Sequence, residues 1–148
     1  MDFYTRLVYL RNSRWVRKPA YLLLKSLGVE IPLSVPIGTG FQLEHGGFGT
    51  VIHSRTVIGK DVKVYPGVTI GRADIYRPAD QSNFEGVEIG DEAILCPGAR
   101  ILAKDGILHV GRGTVIGANA VLLESTGEWE IWAGIPAHKV GEREKELL

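Results

Sequence analysis

Four histidines, His45, His53, His109 and His138, are the side chains here best suited to moving protons at neutral pH. An imidazole, with an unperturbed pKa of about 6.5, can take the proton of a hydroxyl while its oxygen attacks an electrophile. His45 follows Leu43–Glu44 and opens the glycine-rich run from Gly46 to Gly49. His45 and His53 are eight residues apart and the other two are isolated, so a three-histidine zinc site is not expected and no metal ligand is assigned. Cys96, the single cysteine, lies in an aliphatic stretch and reads as a packed, inert thiol.

Whatever positions these groups has a six-residue rhythm. Aliphatic residues recur as Ile31, Ile37, Leu43, then Ile58, Val64, Ile70, then Ile89, Leu95, Ile101, then Val110, Ile116, Leu122. Glycine follows six of them directly, as Gly38, Gly59, Gly71, Gly90, Gly111 and Gly117. Four positions after the aliphatic residue the side chain is small or β-branched, as at Val62, Val68, Ala93, Ala99, Thr114 and Ala120. Neither helix nor ordinary strand has this period. A solenoid does, with one aliphatic side chain inward per short strand and glycine expected to supply the backbone angles of the corners.

The bulk properties set limits. The chain of 148 residues reads as one domain, and its 17 basic and 17 acidic residues cancel. No global field exists to hold nucleic acid, so none is expected as a partner. A lone cysteine gives no internal disulfide and fits a reducing compartment. Without a leader pattern or a long apolar run, a cytoplasmic location is expected.

Three parts follow along the chain. Residues 1–27 lack the rhythm and read as a helical cap, with Arg6, Arg11, Arg14, Arg17, Lys18 and Lys25 against Asp2 alone. That basic excess suits contact with anionic lipid headgroups at the inner face of a membrane, or with a phosphate-bearing substrate. Residues 28–137 form the solenoid. Its rhythm slips between Leu43 and Ile58, between Ile70 and Ile89, and between Ile101 and Val110, where extra residues must loop outward. The longest loop, 72–88, is rich in charge. Residues 138–148 carry GEREKELL, helix-forming in composition, and predict a short helical tail.

GVEIPLSVPIGTGFQLEHGGFGTVIH from Gly28, with IGANAVLLES and AGIPAHKV later, resembles the hexapeptide-repeat acyltransferases. The resemblance is to their serine acetyltransferase-like branch, which includes bacterial surface-polysaccharide O-acetyltransferases. It implies an all-β solenoid, a left-handed parallel β-helix. It also implies a homotrimer with acetyl-CoA in the groove between neighbouring helices, the acceptor entering the same cleft.

Carried over residue by residue, the resemblance makes His45 the general base and places Glu30 where the family carries an aspartate paired with that histidine. Transfer is then direct attack on the thioester. Pro97, Gly98, Gly117 and Ala118 are expected to line the pantetheine channel, and Lys139, beside His138, to meet phosphate. Trp129 and Trp132 are expected to serve packing. Glu44 aligns with an acceptor-binding aspartate. Glu85-Gly86 stands where serine enzymes carry Arg-His, and their large N-terminal helical domain is not matched by 1–27. These departures lead to the expectation of a sugar hydroxyl, free or lipid-linked, in surface-polysaccharide assembly, with Arg72, Tyr76, Arg77 and Glu85 as further acceptor contacts. Serine O-acetylation is the alternative in the same class. From other classes come a non-catalytic β-helix scaffold and a γ-carbonic-anhydrase-like hydratase, whose histidine spacing is missing.

Overall fold

The computed structural model describes residues 1–145. Two short helices open the chain. In α1 (Phe3–Leu10), Asp2 caps the first turn by accepting the Thr5 N–H at 3.0 Å, and Thr5, Leu7 and Val8 are buried. In α2 (Arg17–Ser26), Pro19 sits in the first turn, where its missing N–H costs nothing. Ala20 and Leu24 face inward, and Gly28, at φ 85°, ends the helix and turns the chain into the first coil.

From there the chain winds through three parallel faces. Face I stacks β1 (Gln42–Leu43), β4 (Lys63–Val64), β7 (Ile94–Leu95), β10 (Val115–Ile116) and β12 (Glu130–Gly134). Face II stacks β2 (Val51–Ile52), β5 (Thr69–Arg72), β8 (Arg100–Ala103) and β11 (Val121–Leu122). Face III stacks β3 (Thr56–Ile58), β6 (Phe84–Ile89) and β9 (Gly106–Val110). Register is strict: Leu43 lies beside Val64, Val64 beside Leu95, and Leu95 beside Ile116. Each coil therefore places its aliphatic residue directly on that of the coil before it. Of the twelve rhythmic residues, all but the partly buried Ile37 are 3% exposed or less. The small residues four positions on are likewise sealed inside, where anything larger would collide with the opposite wall.

The glycines after the aliphatic residues do a different job from the one expected. None of the six has a left-handed φ. Gly38, Gly59, Gly90 and Gly111 are needed because successive coils touch there: a Cβ on Gly111 would stand 1.9 Å from the Gly127 carbonyl oxygen, and one on Gly90 2.7 Å from the Arg112 nitrogen, whereas at Gly71 the nearest atom is 3.8 Å away. Left-handed angles fall elsewhere, and several are carried by Asp61, Glu92, Asn119 and Trp129 rather than glycine.

The C-terminal end also departs from expectation. In place of a helix, β13 (Ala137–Glu142) folds back antiparallel on β12, with Trp132 beside Lys139. The open edge of β12 supplies a ladder of hydrogen bonds that outweighs the helix-forming composition. Residues 146–148 of that expected tail lie outside the described residues. No described helix is long and apolar enough to cross a membrane.

Candidate active site

His45 stands on the edge where face I passes into face II, in the turn Glu44–Gly47 between β1 and β2. Its backbone is left-handed, φ 52° and ψ 31°, and its ring is exposed, 6.1 Å centroid to centroid from Tyr65 of the next coil. A histidine in that region is held there by its surroundings. Helix α1 provides them. Thr5 Oγ1 accepts the Leu43 N–H at 3.2 Å and itself donates to Asp2 Oδ2 at 2.7 Å. The Tyr9 hydroxyl accepts the Phe41 N–H at 2.9 Å and donates to the Gly38 carbonyl at 2.8 Å. Tyr4 lies over Gly46 so closely that a Cβ there would meet its ring at 2.9 Å. Sequence reasoning missed these supports. Their one signal was the spacing of Thr5 and Tyr9, four residues apart and so on one helical face.

Glu30 does not bond His45. Its Oε1 accepts from Lys25 Nζ at 3.2 Å and from the Tyr21 hydroxyl at 3.3 Å, and its backbone pairs with Val51 at the start of face II. The expected contact between the two is therefore replaced by pairing of Glu30 with α2, because that helix packs directly beneath it. Glu44 is half-buried and lines a cavity of about 310 Å³ with Asp2, Thr5 and Gln42.

The four residues expected along the pantetheine channel occupy the same edge as His45. Pro97 and Gly98 lie between β7 and β8, and Gly117 and Ala118 between β10 and β11. The turns stack by backbone bonds: Gly67 N–H to the Phe48 carbonyl at 2.8 Å, Gly98 N–H to Pro66 and Asn119 N–H to Pro97, both at 3.0 Å. Gly98 holds a left-handed backbone (φ 74°) that side chains rarely adopt, and a Cβ there would have to displace Asn119 Oδ1, 2.1 Å away. Beside it Cys96 is half-buried, and burial pushes its thiol up, away from thiolate chemistry. Lys139 lies on β13, paired with Glu142 at 3.1 Å and Glu130 at 3.5 Å. Trp132 is buried with its indole N–H on Glu130 Oε2 at 2.7 Å, while Trp129 sits under Arg112, Arg143 and Lys145.

Arg72, Tyr76, Arg77 and Glu85 gather on another edge, where the 72–88 loop joins face II to face III. Arg72 Nε pairs with Asp74 at 3.1 Å, and its guanidinium donates to the Arg77 carbonyl at 2.8 Å. Asp74, 1% exposed, also accepts from Ser82 Oγ at 2.9 and 3.1 Å. These polar groups hold the loop together rather than face outward. Tyr76 and Glu85 are exposed, with Arg77 5.9 Å over the Tyr76 ring. Among the described residues no hydrogen bond or ion pair joins this group to His45, Glu44 or Glu30.

The remaining histidines have other surroundings. His53 Nδ1 accepts the Arg55 N–H at 3.0 Å and its ring meets the Phe84 ring at 4.8 Å. Burial first, then the Arg55 and Arg72 cations, pull its pKa below the usual value. His109 pairs with Glu88, its cross-strand neighbour on face III, at 3.1 Å. His138 is exposed on β13. No cluster of metal-ligating side chains occurs among the described residues.

A parallel solenoid with stacked glycine corners and an exposed histidine at one edge has close counterparts among solved enzymes. Serine acetyltransferase from Vibrio cholerae superposes with a TM-score of 0.73 at 26% identity, over 97% of this chain and 53% of that one. A serine acetyltransferase in complex with CoA gives 0.69 at 29% identity, over 93% and 54%.

Curated sequences point the same way. Serine acetyltransferase of Bacillus licheniformis is 34% identical over 120 residues, 81% of this chain and 51% of the relative. That of Staphylococcus epidermidis is 31% identical over 139 residues, 93% and 61%. The chain spans about half to three-fifths of the length of these relatives. No family model matches. The homologues of this chain are thus serine acetyltransferases, acyltransferases of hexapeptide-repeat fold.

These likenesses correct the expected acceptor. The expectation of a sugar hydroxyl in surface-polysaccharide assembly rests on Glu85-Gly86, on the large N-terminal helical domain that 1–27 does not match, and on the polar 72–88 loop. The relatives are instead serine enzymes, and the loop's Arg72 and Asp74 are consumed in holding its own shape.

Proposed function

We propose that the chain transfers the acetyl group of acetyl-CoA to the hydroxyl of serine. The observation that carries this reading is the 34% identity over 120 residues to a serine acetyltransferase. In this mechanism His45 takes the serine hydroxyl proton as the oxygen attacks the thioester carbonyl. The tetrahedral adduct collapses, the carbon–sulfur bond breaks, and the proton passes to the departing CoA thiolate. Glu44 offers its carboxylate to the serine ammonium. Pro97, Gly98, Gly117 and Ala118 let the pantetheine arm lie close to backbone along the shared edge, and Lys139 exchanges Glu142 and Glu130 for phosphate.

The same reading includes the left-handed winding of the coils and a cyclic homotrimer. Flat faces around a threefold axis would set the His45 edge of one copy against a neighbour, giving three sites at subunit borders. Light scattering tests the assembly, and a stable monomer at micromolar concentration would remove it. The activity is tested by thiol release from acetyl-CoA with and without L-serine. Serine-dependent release that saturates supports the reading, and release no faster than hydrolysis overturns it.

A further inference from the structure

Away from this edge, the helical hairpin turns its largest apolar side chains into water. Trp15 is 85% exposed, Leu22 61% and Phe3 57%, with Leu10, Val16 and Leu23 also exposed. Trp15 and Val16 form the link into α2, and Leu22 and Leu23 lie on its outer side, away from the buried Ala20 and Leu24. Cations surround them. Arg14, Arg17 and Lys18 are exposed, and none takes part in an ion pair among the described residues. The Arg14 guanidinium lies 5.7 Å over the Trp15 ring. Arg6, on α1, is exposed and unpaired among the described residues as well, whereas two basic residues of the hairpin differ. Arg11 is buried, its guanidinium donating to the Pro32 and Val35 carbonyls, and Lys25 is paired with Glu30.

Apolar anchors ringed by unpaired cations call for a partner that is apolar beneath and anionic at its surface. A second copy of the same face fails, because docking would press like charges together. A bilayer with anionic headgroups meets both needs. Tryptophan prefers the headgroup boundary, and arginine pairs bidentately with phosphate. We propose that the outer face of the α1–α2 hairpin docks on an anionic lipid bilayer. Trp15, Leu22 and Leu23 enter the boundary, and Arg14, Arg17 and Lys18 pair with lipid phosphates. In a cyclic trimer the three hairpins share one end, so their individually weak contacts add on one flat surface. The docking of each hairpin does not depend on the acyl-transfer reading; only the addition of three contacts rests on its trimer.

Flotation of the full chain with vesicles tests it. Binding is expected to phosphatidylcholine vesicles carrying roughly a third phosphatidylglycerol and not to phosphatidylcholine alone. It should fall as salt rises from about 0.1 M to about 1 M, which shortens the screening length from about 10 to about 3 Å. Each cation near such a surface is worth about five-fold in partitioning, so Arg14→Gln/Arg17→Gln/Lys18→Gln should lower it on the order of 100-fold. Trp15→Ser should weaken it as well, both variants keeping the melting temperature and thiol release of the parent. Equal binding to both vesicle types would overturn the proposal. So would self-association that Trp15→Ser abolishes without any vesicle binding, which would assign the face to a second copy, or free inorganic phosphate competing off the vesicles at low millimolar concentration.

Discussion

Thr5 of the first helix and Leu43 of the first coil are joined by a hydrogen bond of 3.2 Å from the Leu43 amide to the Thr5 hydroxyl. Leu43 is two residues before His45, so the helix at the start of the chain fixes the backbone that presents the histidine. Thr5→Val keeps the shape and removes the acceptor, leaving a buried amide unpaired at a cost of about 1–3 kcal/mol. The expected outcome is a lower melting temperature together with a fall in turnover larger than any change in acetyl-CoA affinity.

His45→Asn should lower turnover by about 10²–10⁴, the range for losing a general base. Asparagine accepts the left-handed backbone at this position, so the fold is expected to persist. Thiol release and a melting curve on the same preparation decide the matter. Near-normal turnover in a folded variant would end the assignment.

Glu30→Gln is expected to cost far less. The carboxylate is occupied by Lys25 and Tyr21 and does not touch the histidine. A loss below about tenfold, equivalent to about 1.4 kcal/mol, would agree with a supporting role, whereas a loss equal to that of His45→Asn would show that the two bond during turnover.

Stability should fall in mild acid through His53. Its folded pKa lies below the ordinary 6.5, chiefly because of burial and then because of Arg55 and Arg72. The unfolded chain therefore binds more protons than the native one between those values, and stability rises with pH across that window. Denaturant melts at stepwise pH from about 7 downward should show the decline beginning near 6.5, and His53→Gln should flatten it.

Arg11 is buried with no carboxylate partner among the described residues, and burial lowers its pKa to about 10. It donates to the Pro32 and Val35 carbonyls and so pins the hairpin to the first coil. Arg11→Met leaves those carbonyls without their donor, and a loss of about 1–3 kcal/mol is expected in denaturant melts.

The inward ladder was legible because a six-residue repeat leaves the same mark at every coil, and Leu95 or Ile116 could be placed by counting alone. Ile52 could not, although it is as buried as they are, because the turn at His45 breaks the count just before it. The position of His45 on a coil edge was readable from the motif, but its supports were not. They come from a helix more than thirty residues earlier, and nothing local in Thr5 or Tyr9 announces a long-range partner. The C-terminal strand was misread since its composition favours a helix, while its conformation is set by the unpaired edge of β12. Arg72 and Asp74 looked like ligand-binding groups, and residue type alone cannot separate a side chain that waits for a ligand from one that locks its own loop.

The backward fold of β13 bears on how copies of this molecule meet end to end. A stack of parallel coils is a template: its last coil resembles the surface on which another coil would build. On face I that template is closed, because β13 runs the wrong way to accept a further parallel strand and brings Lys139 and Glu142 to its rim. At the other end the helical hairpin covers the first coil. Fibrous growth along the winding axis is thereby blocked at both ends, and a molecule shortened before Ala137 would expose one open coil edge, enough for two copies to pair but not for a fibre.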